Sequence, residues 1–158
     1  MAVYASYHRN PLNRLTHFFG VPLIMFSLFV PLSWVDVSLF GLPVNGAMLL
    51  VAATVCYYCL LDVSLAVACA VLSVFLLMAA YYVAASFPPA IGWGVFAAGF
   101  IGGWILQIVG HVFEGRRPAL LDNVWQIFVA PIFLVAEGFF ALGLKRDIRD
   151  RIRARRTE

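Results

Sequence analysis

Charge is scarce in this chain. Only 12% of its 158 residues are Asp, Glu, Lys or Arg, whereas soluble domains carry about a quarter. Hydrophobic residues make up 63%, which excludes an ordinary soluble domain and points to a polytopic membrane protein. Cysteine is nearly absent, at Cys56, Cys59 and Cys69. Cys56-x-x-Cys59 has the spacing of half a zinc site. No second pair completes it, so small buried side chains within an apolar helix are expected. The odd count assigns no redox compartment. Histidine is equally rare, at His8, His17 and His111, and all three lie in the short polar margins of the sequence. Imidazole is the commonest protein metal ligand and a frequent acid–base group, so its confinement to those margins is informative.

The net charge of +3 comes from an uneven distribution. Seven of the eleven Lys and Arg lie between Lys145 and Arg156; the others are Arg9, Arg14, Arg116 and Arg117. No aromatic residues interleave the basic tail, so nucleic acid is not an expected partner. Basic residues beside an apolar segment anchor topology and touch anionic lipid headgroups.

Five apolar runs follow one another: Phe18 to Val35, with Pro22 and Pro31 inside; Val44 to Leu61; Val63 to Ala85; Ile91 to Val109; and Val124 to Leu144, with Pro131 and Glu137 inside. Each approaches the ~20 residues that span a bilayer. The first run has no small-residue cleavage pattern after it and is not expected to be a removable signal peptide. Asn10-Pro11 reads as a helix start, Asn capping and Pro at the first helical position. Asp122-Asn123, with Gln126 three residues on, reads as another cap. Gly99-x-x-x-Gly103 permits close helix contact.

The basic bias predicts that the N-terminus, residues 111–123 and the tail share the cytoplasmic side. Runs one to four then span, and run five is re-entrant or broken near Pro131 or Glu137; a re-entrant first run is the alternative. The expected fold is an all-α polytopic integral membrane helical bundle, four spans plus a re-entrant or broken fifth apolar segment. It forms a single membrane domain, 1–158. Its polar parts are an N-terminal segment 1–17, the segment 111–123 and a basic cytoplasmic tail 145–158. This topology brings His8, His17, Asp62, His111 and Glu114 to one membrane face.

His111 and Glu114 stand three apart, on one helical face, with Gln107 a turn before. Three imidazoles and a carboxylate suit iron, zinc or copper. Glu114 can instead pair with Arg116 or Arg117, Asp62 can be a turn residue, and Glu137 requires a protein or polar surrounding. Arg116 and Arg117 either anchor topology or grip a carboxylate or phosphate.

Tyr7 to Pro22 (YHRNPLNRLTHFFGVP) and Gln107 to Leu120 (QIVGHVFEGRRPAL) resemble the two signature blocks of the 2-hydroxy fatty acid dioxygenase family, first catalogued as a domain of unknown function. Tyr57 to Asp62 (YYCLLD) resembles a weaker middle block. The resemblance implies an Fe(II)-dependent oxygenase that shortens 2-hydroxy fatty acids by one carbon, the α-oxidation step used in phytosphingosine breakdown. It further implies iron held by His8, His17 and His111, with Glu114 as a further catalytic candidate. Arg116, Arg117 and Asp62 are expected to contact substrate. The expected partners are a 2-hydroxy fatty acid, O2 and membrane lipid. The expected location is a bacterial inner membrane or the ER membrane, with the site facing the cytoplasm. A di-iron hydroxylase needs several more histidines. A transporter wants polar residues at the bilayer midplane, which runs two to four scarcely offer. A non-catalytic scaffold or small transporter with a structural metal site remains the alternative.

Overall fold

A computed structural model describes residues 10–115 and 125–154. These form six helices and one hairpin: α1 (Pro11–Leu32), β1 (Asp36–Leu39), β2 (Leu42–Asn45), α2 (Gly46–Cys59), α3 (Val63–Ser86), α4 (Pro89–Glu114), α5 (Gln126–Ala141) and α6 (Arg146–Ala154). The chain divides into two compact units, one of residues 22–104 and the other of residues 1–21 with 105–158.

α1 begins where the sequence says it should. Asn10 Oδ1 accepts the Leu12 N–H at 2.9 Å, and Pro11 takes the first helical position, where its missing N–H costs nothing. The helix runs 22 residues, with Pro22 and Pro31 inside. It is therefore one continuous element rather than a re-entrant loop.

α1, α3 and α4 are long and apolar enough to cross a membrane. Only 33%, 28% and 28% of their apolar windows are buried by protein, which leaves the rest for lipid to cover. Phe75, Met78 and Ile101 are among the exposed apolar side chains.

Run two does not form the expected full span. Its first residues are taken by an unanticipated hairpin, in register Asp36↔Asn45 to Leu39↔Leu42. Phe40 and Gly41 turn it with φ of 52° and 80°, the left-handed pair that two-residue hairpins require. Asn45 then caps α2 by accepting the Met48 N–H at 2.9 Å. At 14 residues, α2 is only about 21 Å long, short of the ~30 Å hydrocarbon core. Cys56 and Cys59 lie on this helix and are exposed, not buried as expected; Cys69 on α3 is buried.

Within residues 22–104 the core gathers Phe29, Val30, Ala47 and Ala80. Gly99 lets α1 approach α4, since a Cβ there would lie 3.0 Å from Ser27 Cβ. The close contact expected of the Gly99-x-x-x-Gly103 pattern is thus seen at Gly99.

Asp62 caps α3. Its Oδ1 accepts the Leu65 N–H at 3.0 Å and the Ser64 hydroxyl at 2.7 Å. Asp62→Ala is expected to lower stability by about 1 kcal/mol through loss of this cap, measured by thermal unfolding in detergent, with turnover unchanged. Lost turnover at wild-type stability would instead show that Asp62 contacts substrate.

Run five breaks later than expected. α5 continues through both Pro131 and Glu137 to Ala141. The chain then bends by 119° into α6, through Gly143 and Lys145 at positive φ. Counted with this bent pair, the described residues offer up to four spans rather than four plus a fifth. α6 is polar. Arg151 donates to the Asp147 carboxylate at 2.7 Å. Ile152 packs back against the buried Phe133 of α5.

Candidate active site

The site lies in the unit that contains the first turns of α1, the last turns of α4, and α5 with α6. The start of α1 is fastened to the end of α4. The Asn10 backbone N–H donates to Glu114 Oε2 at 2.7 Å, and Asn13 Nδ2 donates to the same oxygen at 3.0 Å. Asn10 Nδ2 also donates to the Phe113 carbonyl at 2.8 Å. Glu114 thus places its negative charge at the N-terminus of α1, where unsatisfied N–H groups and the helix dipole favour an anion.

That fastening brings His17 and His111 together. Their rings meet edge to face, centroids 5.1 Å apart and planes at 83°. Both are buried, at 5% and 6% exposure. His17 Nδ1 lies 2.9 Å from the Asn13 carbonyl, which also accepts the Thr16 hydroxyl at 2.8 Å. A carbonyl only accepts, so the His17 proton belongs on Nδ1 and the ring lone pair on Nε2. This is the arrangement that orients metal-binding histidines.

The approach needs Gly110. A Cβ there would run into Thr16 Oγ1, lie 2.5 Å from Asn13 Oδ1 and stand 3.1 Å from His17 Nδ1. Gln107, one turn before His111, is buried, and its amide nitrogen has no hydrogen-bond partner among the described residues.

On its other side His17 faces a cleft of about 270 Å³. Leu15, Phe18 and Val21 of α1 and Phe133 and Leu134 of α5 make its walls. Arg14 Nη1 bonds Glu137 Oε2 at 3.0 Å within this apolar lining. Glu137 therefore has the polar partner that its place in run five demanded. Asn13, fully buried, and Arg14 were both missed as site residues by reasoning on residue types. Their position one turn before His17 was the available signal.

Of the expected site residues, the structure unites His17, His111 and Glu114. Asp62 belongs to the other unit. His8, Arg116, Arg117 and the Asp122-Asn123 cap lie outside the described residues. No group of three His, Cys, Asp or Glu among the described residues is placed to hold a metal. Two buried imidazoles side by side, one with its tautomer fixed by a backbone carbonyl, nevertheless form a nitrogen donor pair suited to a divalent transition metal.

Residues 1–141 match the family described as "Mpo1-like: 2-hydroxy-palmitic acid dioxygenase Mpo1-like". The chain is also 38% identical over 147 residues to the 2-hydroxy-palmitic acid dioxygenase MPO1 of Saccharomyces cerevisiae, covering 90% of this chain and 79% of the yeast protein. The chain belongs to the Mpo1-like family. No solved structure matches it. The Mpo1-like match spans both halves of the site, since His17 on α1 and His111 on α4 fall within it.

Proposed function

We propose that this chain is an Fe(II)-dependent dioxygenase that converts long-chain 2-hydroxy fatty acids to acids one carbon shorter, with its site near the cytoplasmic face of the membrane. The observation that carries this reading is the buried His17–His111 pair, set where apolar helices end and formed by the two sequence blocks that resemble the family. His17 and His111, with His8, would hold the iron. Bound Fe(II) would supply a Lewis acid and a redox partner for O2 beside the hydroxy acid.

The protein's own residues do the positioning. The Asn13 carbonyl keeps His17 in the Nδ1–H tautomer and fixes the ring's direction. Glu114 holds the two histidine-bearing helices in register through Asn10 and Asn13. Gln107 offers a buried amide donor to a polar guest. The apolar surroundings exclude water, which strengthens each of these polar contacts.

Atom balance narrows the products. A 2-hydroxy acid plus O2 yields the shortened acid, carbon dioxide and water with no atoms or electrons left over. Formate as the one-carbon product would need two added electrons. The purified protein, loaded with Fe(II) and given only O2, is therefore expected to release labelled carbon dioxide from a carboxyl-labelled 2-hydroxy acid. The unsubstituted acid is expected to react poorly, because it lacks the chelating hydroxyl. Short hydroxy acids are expected to bind weakly, because each buried methylene contributes ~0.8 kcal/mol. Mass spectrometry of products reads all three. Folded, iron-loaded protein that leaves 2-hydroxy acids of every chain length unchanged would overturn the proposal.

A further inference from the structure

The cleft beside His17 contains an ion pair that the histidine site does not use. We propose that Arg14 is the residue that receives the substrate's carboxylate, held in place by Glu137, and that the cleft between α1 and α5 takes the head end of the acyl chain. The choice of ligand rests on the 2-hydroxy acid reading above; the placement rests on the cleft.

Three observations converge on Arg14. First, Glu137 lies inside the apolar run of α5, where a carboxylate is expensive and is retained for function. Arg14, in the polar first turns of α1, reaches it at 3.0 Å across a cleft whose walls are otherwise almost wholly apolar. Second, Arg14 and His17 are three residues apart on α1 and both line the cleft. A carboxylate received by Arg14 thus lies in the same cleft as His17. Third, the cleft is about 270 Å³, near the lower end for ligand pockets, and Leu15 and Phe18 on its wall are more than half exposed. It encloses a headgroup and the first methylenes, and then opens onto apolar outer surface where a long tail can continue into lipid.

A guanidinium carries five N–H donors in a rigid fork and can serve two carboxylates at once. Glu137, bonded through Nη1, holds the guanidinium at the cleft wall. Glu137 is a positioning residue, since it acts through Arg14. The ligand this lining selects is an amphiphile with a single anionic head, not a neutral lipid.

The test compares 2-hydroxypalmitic acid with its methyl ester, by equilibrium binding to detergent-purified protein and by steady-state kinetics. Wild type is expected to bind the acid at least tenfold more tightly than the ester. Arg14→Gln is expected to lose that preference, weakening acid binding on the order of ten- to a hundredfold while ester binding stays the same. In kinetics the loss should fall mainly on KM. Arg14→Lys, which keeps the charge but not the fork, should retain part of the preference. Arg14→Gln leaves Glu137 uncompensated, so Arg14→Gln/Glu137→Gln supplies a neutral pair that folds without that penalty and is expected to show the same loss. An acid preference that survives in both variants, or is absent from wild type, would overturn the assignment. Failure of the wild type to turn over either compound would overturn the dioxygenase reading instead, and the binding comparison would still decide Arg14.

Discussion

His17→Ala and His111→Ala are each expected to lower turnover of a 2-hydroxy fatty acid on the order of a hundredfold or more and to release bound iron. Losing even an outer partner of a metal ligand typically costs 10–100-fold in affinity or activity, and these two rings are ligand candidates themselves. The two buried imidazoles are in contact, so removing either opens a polar void beside the other. Iron content of tag-free protein, by elemental analysis, separates this from simple unfolding. Wild type should hold about one iron per chain, and each variant should hold far less while keeping its helical circular dichroism. Full iron occupancy in both variants would exclude the pair as ligands.

Gly110→Ala is expected to have the second largest effect, although helix propensity argues the other way. Within a helix, alanine is favoured over glycine by about 1 kcal/mol, so a bystander glycine would gain stability. Here the new methyl meets Thr16 Oγ1, Asn13 Oδ1 and His17 Nδ1 at once. Overpacking of this kind costs about 1–3 kcal/mol, enough to cancel the propensity gain. The larger penalty is geometric. α1 must shift against α4, which moves His17 relative to His111, and a misplacement of about 1 Å at a reacting centre can cost a hundredfold in rate. Thermal unfolding and turnover together read the outcome. A more stable enzyme with wild-type turnover would show that the close approach at Gly110 carries no function.

Much of this was legible in the sequence where one strong local signal acts. Asn10-Pro11 fixed a helix start, Asp62 fell at a boundary between apolar runs, and the i,i+3 spacing of His111 and Glu114 held because α4 continues to Glu114. The union of His17 with His111 followed from charge bias and from the resemblance. The span count did not follow, because hydropathy does not distinguish a short apolar helix from a full span. Val44 and Asn45 are apolar and polar neighbours that a hairpin claimed through its turn at Phe40-Gly41. The sequence places the break of run five near Pro131, the residue least suited to a helix interior, or near Glu137. Packing tolerated that proline, and the chain turned instead at Gly143 and Lys145. From sequence, Glu114 is a catalytic candidate or a partner for nearby arginines. Its bonds to Asn10 and Asn13 cross about a hundred residues of sequence, a distance over which no local pattern reports.

Mass spectrometry of the acid formed from 2-hydroxypalmitic acid under ¹⁸O-labelled dioxygen tests the dioxygenase activity most directly. The iron-loaded protein is expected to produce the acid one carbon shorter, carrying label from the gas. A shortened acid labelled only from water, or no shortened acid from folded and iron-loaded protein, would contradict the reading of the His17–His111 site as that of a dioxygenase.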